Sequence, residues 1–265
     1  MKPRATKFVL VELFASRHGV GIGEHTLVRE IAGEIRAGEF VAVLGPNGVG
    51  KTTLMRALCG LRAPQAGTIQ LDGTNIAHLS PVERARRIAF VTSDDAMTDA
   101  LSVRELVAIG RFPHHAWWEW NPTADDARAV DEALALVHLQ DLAERPFATL
   151  SSGERQRAWI AMGLAQGTPV LLLDEPTSHL DERVAHRILA LLRDLARAGR
   201  TIICVLHDLN EAATYADRLM LLGCERMLAF DEPMHVLDPR IVESAYGIAV
   251  ERLDTPRGPR VFPVL

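Results

Sequence analysis

Lysine is almost missing from this chain. Among 265 residues it occurs only as Lys2, Lys7 and Lys51, and the remaining permanent cations are all arginine. An arginine-biased chain that keeps one internal lysine marks a position that needs a compact point charge in place of a planar guanidinium. Cysteine is equally rare: Cys59, Cys204 and Cys224 are odd in number, far apart and set in apolar surroundings. That excludes a disulfide framework and offers no metal-ligand spacing, so free thiols in a reducing compartment are expected. No apolar run approaches the length of a membrane-spanning helix. The basic start MKPRATKFVLVELFA is interrupted by Glu12 and reads as a β-strand, not a secretion signal. A cytosolic protein is expected, with any membrane role arising through a partner. A basic surplus is lacking too. The net charge of −5 at pH 7 speaks against general nucleic-acid binding, although a local basic patch stays open.

What the chain does have is a globular composition, 48% hydrophobic and 24% charged, at a length that suits one large α/β domain. Short apolar runs alternate with amphipathic patterns, the mark of a mostly parallel sheet covered on both faces. FVAVLG (40–45), PVLLLDEP (169–176) and TIICVLHD (201–208) read as buried parallel strands ending in polar turns. Ligands of such sheets gather at the carboxyl ends of the strands, so Gly45, Asp174, Glu175 and His207 are expected to share one site. NPTADDARAVDEALALVHL predicts a helix capped at Thr123, with Val130, Leu134 and Val137 as its apolar positions. DERVAHRILALLRDLARAG predicts another, with Val184, Ile188, Leu191, Leu192 and Leu195 on one face and a stop at Gly199. Residues from about 95 to 165 lack convincing core strands. They read as a helical sub-domain inserted into a single domain spanning 1–265.

LGPNGVGKTT (44–53) fits G-x-x-x-x-G-K-S/T at every fixed position, follows an apolar strand and precedes the helical pattern Leu54, Leu58, Leu61. Gly45, Gly48 and Gly50 let the backbone of Gly45, Pro46, Asn47, Gly48, Val49 and Gly50 turn its N–H groups towards phosphate oxygens. Lys51 would reach the β- and γ-phosphates, and the Thr52 hydroxyl, followed by Thr53, would bind Mg²⁺. Asp174 supplies an acceptor for that Mg²⁺ through a water. Glu175 is placed to orient and deprotonate an attacking water. His207 could bond the γ-phosphate or steady Glu175.

A second phosphate-facing turn then appears in TLSSGERQRAW (149–159), where Ser151, Ser152 and Gly153 suit a helix N-terminus. GPNGVGKTT, LSSGE, LLLDEP, SHLD (178–181) and His207, in that order, resemble the ATPase subunit of an ABC transporter. The resemblance implies an α/β fold: a P-loop NTPase core with a mostly parallel sheet, an N-terminal antiparallel β part and an inserted helical sub-domain. It also implies ATP and Mg²⁺ as ligands. The turn formed by Leu150, Ser151, Ser152, Gly153 and Glu154 would close over ATP held by the opposite subunit of a homodimer, with Asp181 aligning the interface. ALSVRELVAIGRFPHH (100–115), ERQRAWIAMGLAQ (154–166), VLHDLNEAATYADRL (205–219) and AYGIAVERLD (245–254) are similar to the ATPases of iron–siderophore, haem and cobalamin importers. RQRAWIAM leans towards the iron–siderophore branch. Such subunits work with an integral membrane permease dimer and, indirectly, a periplasmic binding protein, at the cytoplasmic side of the bacterial inner membrane. Nucleic acid is not an expected partner. An ABC ATPase acting on DNA or ribosomes, and an ATP-sensing regulatory module, are the rival readings.

Three departures from the family pattern stand out. Ser93 occupies the place of a glutamine that senses Mg²⁺ and the attacking water; its shorter hydroxyl would need a bridging water or loop movement, or Asp94 or Asp95 would substitute. LSSGE stands for LSGGQ, with Ser152 in place of a glycine whose N–H matters most. No tyrosine stands where adenine would be stacked, leaving His18 as the nearer candidate and Phe14 as a strand core residue. Trp117, Trp118 and Trp120 cluster in HHAWWEWNP, as permease-docking aromatics or as packing for the sub-domain.

Overall fold

Continuous apolar stretches pair side by side at the centre of this molecule because both of their faces are covered. The computed structural model describes residues 8–17, 25–92, 101–116, 122–178, 180–256 and 258–264, with side chains from residue 31 onward. The strands are β1 (Phe8–Arg17), β2 (His25–Ile35), β3 (Phe40–Leu44), β4 (Ala66–Leu71), β5 (Thr74–Asn75), β6 (Ile88–Val91), β7 (Val170–Leu173), β8 (Thr201–Val205), β9 (Arg218–Gly223), β10 (Arg226–Asp231), β11 (Val250–Thr255) and β12 (Gly258–Pro263). The helices are α1 (Lys51–Leu58), α2 (Pro81–Ala85), α3 (Val103–Ile109), α4 (Ala124–Leu136), α5 (Ser152–Ala165), α6 (Glu182–Arg197), α7 (Leu209–Tyr215), α8 (Pro233–Val236) and α9 (Pro239–Tyr246).

The main sheet runs β5-β4-β1-β2-β10-β9-β3-β8-β7-β6, and β11–β12 form a separate antiparallel hairpin. Strands β9, β3, β8, β7 and β6 are parallel neighbours. The β5-β4-β1-β2 flank is antiparallel and joins the rest where Arg226 pairs with Arg29. Every residue of β3, β7 and β8 is buried. Alternate residues serve opposite faces. Ala42, Leu171 and Ile202 pack with α5, α6 and α7, while Val41, Val43 and Ile203 pack with Leu54, Met55 and Leu58 of α1. Crucially, β8 lies between β3 and β7, so the turns after β3 and β7 are two strands apart with the end of β8 between them.

Between β6 and β7 the chain builds a helical insertion from α3, α4 and α5. Each of these helices opens with a reciprocal capping box: Ser102 with Glu105, Thr123 with Asp126, Ser151 with Glu154. Its core joins Leu106, Val107, Val130, Leu134, Phe147 and Ile160, with Trp159 edge-on to Phe147 at 5.7 Å. The cap at Thr123 and the burial of Val130, Leu134 and Val137 match the sequence reading.

Two helical readings need correction. Leu61 does not belong to the first helix, which closes at Leu58 with Cys59 as its C-cap; Leu61 is 71% exposed. In α6 the buried stripe is Ala185, Ile188, Leu189, Leu192 and Ala196, leaving Val184, Leu191 and Leu195 only partly covered. Small alanines sit closest to the sheet there, so a helix axis placed by large residues alone is rotated away from its true contact line.

Candidate phosphate-binding site

The loop after β3 is shaped by glycine. Gly45, Gly48 and Gly50 have φ of 145°, 80° and 109°, a region that disfavours side chains. At Gly45 a Cβ would also collide with the Leu222 carbonyl and come within 3.1 Å of Val49 Cγ1. Pro46 and Val49 close the turn through a Val49 N–H bond to the Pro46 carbonyl of 3.4 Å. Gly50 is the N-cap of α1 and, lacking a side chain, caps nothing; no acidic residue occupies the first turn. The free N–H groups and positive end of this helix therefore face an open cavity of about 170 Å³, lined by Asn47, Gly48, Gly50, Lys51, Thr52, Thr53 and Glu175.

Lys51 is 5% exposed and donates to the carbonyls of Gly45 at 2.7 Å and Pro46 at 3.1 Å. Burial pulls its pKa below the ordinary lysine value, opposed by the negative charges of Glu175 and Asp174. Asp174 follows β7, and its N–H donates to the Val91 carbonyl at 3.0 Å. Burial raises the Asp174 carboxyl above its usual range, against the Thr52 hydroxyl that donates to it and with the repulsion of Glu175 added. Its Oδ1 is fully enclosed and has no hydrogen-bond partner among the described residues.

Glu175 has φ of +53°, a left-handed conformation that a non-glycine residue adopts at a cost. The Ser178 N–H and hydroxyl hold its carbonyl at 3.2 and 2.9 Å. Its Oε2 lies 2.9 Å from Nε2 of His207, just beyond β8. The topology thus brings Gly45, Lys51, Thr52, Asp174, Glu175 and His207 to one edge, and of the two roles open to His207 in the sequence this geometry carries the contact with Glu175.

The LSSGE turn is built differently. Leu150 is buried, while Ser151 and Ser152 are exposed. Ser151 caps α5, and its N–H and hydroxyl both donate to Glu154 at 2.8 Å. These bonds hold the Glu154 carboxyl below its usual range. A Cβ on Gly153 would meet only Leu180 at 3.5 Å. Among the described residues, none of this turn lines the cavity over the phosphate loop. Asp181 caps α6 by accepting the Val184 N–H at 2.9 Å. Ser93, Asp94, Asp95, His18, Trp117, Trp118 and Trp120 lie outside the described residues, and the side chain of Phe14 does too. One residue beside the loop belongs to neither motif: Tyr246, whose only sequence signal is its place in AYGIAVERLD.

A family model described as ABC transporter matches residues 28–178 and so takes in the loop, the LSSGE turn and the Asp174–Glu175 pair. The chain belongs to the ABC transporter family. This ABC protein is 41% identical to the ferric enterobactin transport ATP-binding protein of Escherichia coli (strain K12), over 89% of this chain and 88% of the relative. It is 41% identical to a hemin import ATP-binding protein of Nocardia farcinica (strain IFM 10152), over 92% of this chain and 84% of the relative. Among solved structures, a metal-chelate type ABC transporter in an inward-facing conformation superposes with a TM-score of 0.81 at 26% identity, covering 97% of this chain and 98% of that one. A dimeric ATP-binding cassette in a post-hydrolysis state with ADP and Pi superposes with a TM-score of 0.75 at 26% identity, covering 85% and 98%. As an ABC ATPase, the chain is a nucleotide-binding subunit with an α/β core, a mostly parallel sheet and a helical insertion.

Proposed function

We propose that this ABC protein hydrolyses ATP to drive import of an iron–siderophore or related metal chelate through a membrane permease. The observation that carries the enzymatic part is the enclosed Oδ1 of Asp174, without a partner among the described residues, beside the Thr52 hydroxyl and within one edge that also holds Lys51 and Glu175. A buried carboxylate left short of a partner is what a Mg²⁺ site needs, since the cation supplies the missing interaction. Thr52 and Asp174 would hold the ion, which when bound neutralises charge between the β- and γ-phosphates. The glycine-shaped loop and the uncapped start of α1 bind the phosphate oxygens, and Lys51 places a point charge among them. Glu175 takes the proton of the attacking water, while His207, whose Nε2 lies 2.9 Å from its carboxylate, sets the orientation of that base.

Among the described residues the LSSGE turn does not line the cavity of its own chain, so its exposed Ser151 and Ser152 and half-buried Gly153 are assigned to the triphosphate of a second copy. A homodimer follows, because each chain carries one of each turn. Docking excludes water and strengthens those contacts. The chelate assignment is supported by the import proteins that the chain is similar to along nearly its whole length. The partners are then a permease dimer at the cytoplasmic side of the bacterial inner membrane and, indirectly, a periplasmic binding protein; no described helix could itself cross a membrane. The test is phosphate release from Mg·ATP by vesicles containing the chain and its permease, with and without a ferric siderophore and its binding protein. Chelate uptake that tracks ATP consumption is expected. Hydrolysis without any uptake would overturn the import assignment, and no hydrolysis at all would overturn the enzyme.

A further inference from the structure

The end of α9 docks on the end of β9, and Tyr246 comes from there to the first glycine of the phosphate loop. Gly223, at the end of β9, lies so close to α9 that a Cβ on it would come within 2.9 Å of the Ala245 Cα and 3.2 Å of its Cβ. Only small side chains permit that approach. Gly247 adopts φ of 69° and caps α9, its N–H donating to the Glu243 carbonyl at 2.7 Å, so the helix stops immediately after Tyr246. Because the end of β9 also abuts Gly45 through the Leu222 carbonyl, this docking delivers the Tyr246 ring to the first glycine of the loop.

The Tyr246 hydroxyl lies near the backbone N–H of Gly45. It is fully enclosed, yet it closes no hydrogen bond of ordinary geometry with any described group. Burial pushes its pKa up to about 12, so the phenol stays protonated. Gly45 is therefore approached from both sides: its carbonyl takes the Lys51 ammonium at 2.7 Å, and its N–H lies near a phenol that makes no ordinary hydrogen bond with it. An enclosed hydroxyl without a partner costs stability and persists where another state of the molecule uses it.

We propose that Tyr246 is a positioning residue of the phosphate loop, whose hydroxyl accepts the Gly45 N–H when the loop closes on a triphosphate. The bond fixes the Leu44–Gly45 peptide plane at the entry of the loop, on the other side of the Gly45 Cα from the carbonyl on which Lys51 rests. This inference rests on the reading of the loop as the nucleotide site. Tyr246→Phe removes the oxygen alone and keeps the ring packing. The experiment measures thermal midpoints and affinity for a non-hydrolysable ATP analogue with Mg²⁺, in wild type and variant. With the bond made only in the bound state, the nucleotide-free midpoint of the variant equals or exceeds that of wild type, while its dissociation constant rises roughly 3- to 10-fold. KM for ATP rises by a like factor and kcat changes less. A lower nucleotide-free midpoint with unchanged affinity would mean that the hydroxyl only supports the fold, and the proposal would fail. Wild type that binds no nucleotide would overturn the site reading and this inference together; wild type and variant binding equally well would overturn the inference alone.

Discussion

One buried and one half-buried carboxylate in this molecule have opposite lives. Asp126, in the helical insertion, is 5% exposed and both of its oxygens are partnered: Arg111 Nε at 2.9 Å, His115 Nε2 at 3.0 Å, and the Thr123 N–H and hydroxyl at 2.8 and 2.6 Å. Burial acts to raise its pKa, but the bonds from Thr123 and Arg111 win and hold it far below the usual range. Asp174, at the carboxyl end of β7, has the Thr52 hydroxyl, a like charge next door and an oxygen with no partner among the described residues, so burial wins and its pKa rises. The difference separates an acid that holds a sub-domain together from one kept waiting for a ligand. The helix starts differ as well: at α5 a reciprocal box takes up the Ser151 and Glu154 N–H groups and leaves those of Ser152 and Gly153, whereas no side chain caps α1.

The sharpest way to break this comparison is at the frustrated edge. Glu175→Gln keeps the shape and the close approach to His207 but cannot take a proton, so steady-state hydrolysis is expected to fall roughly 10²- to 10⁴-fold with ATP binding retained. Unchanged turnover would remove Glu175 from the chemistry. At the satisfied site, Asp126→Asn strands a buried Arg111 and should cost about 3 kcal/mol in urea unfolding at neutral pH. Because the folded pKa of Asp126 lies below its ordinary 3.8, this stabilisation is complete above pH 3.8 and is lost as pH falls through the folded value. Unfolding midpoints of wild type and variant should therefore converge in strong acid; a constant gap would show that charge is not its source.

Asp174→Asn should move stability the other way, raising the nucleotide-free protein by about 1 kcal/mol while abolishing the Mg²⁺-dependent part of nucleotide binding. The sign follows from its raised pKa: the penalty is absent below the ordinary value of 3.8 and grows as pH rises through the folded value. A destabilised Asp174→Asn would make the two acids alike. The smallest effect is expected at Asp181→Ala, where loss of the α6 cap should cost about 1 kcal/mol in a melting curve. A pairing defect in a Glu175→Gln background beyond that loss would assign Asp181 a role between subunits as well.

Much of the site was legible because its chemistry is local. The loop needs glycines and a lysine at fixed spacing, and a carboxylate at the end of an apolar strand needs only that strand before it. The cap at Thr123 and the reciprocal partner of Ser151 are also written within four residues. Leu61 misled because periodicity does not announce where a short helix stops, and the turn of α6 misled because alanine scores weakly as a core residue although it permits the closest packing. Tyr246 carried no such local signal. Its meaning depends on Gly223 and Gly45, residues distant in the chain that come together only through β9 and α9.

The sequence by itself determined the kind of ligand, the parallel core and the family, since each depends on residues near one another along the chain. Tertiary structure alone decided that β8 lies between the two motif strands, that Asp126 has both oxygens bonded while Asp174 keeps one oxygen without a partner among the described residues, and that a tyrosine comes close to the first glycine of the loop. The physical reason is that desolvation and hydrogen bonding depend on what surrounds a group in space, and those neighbours come from distant parts of the chain.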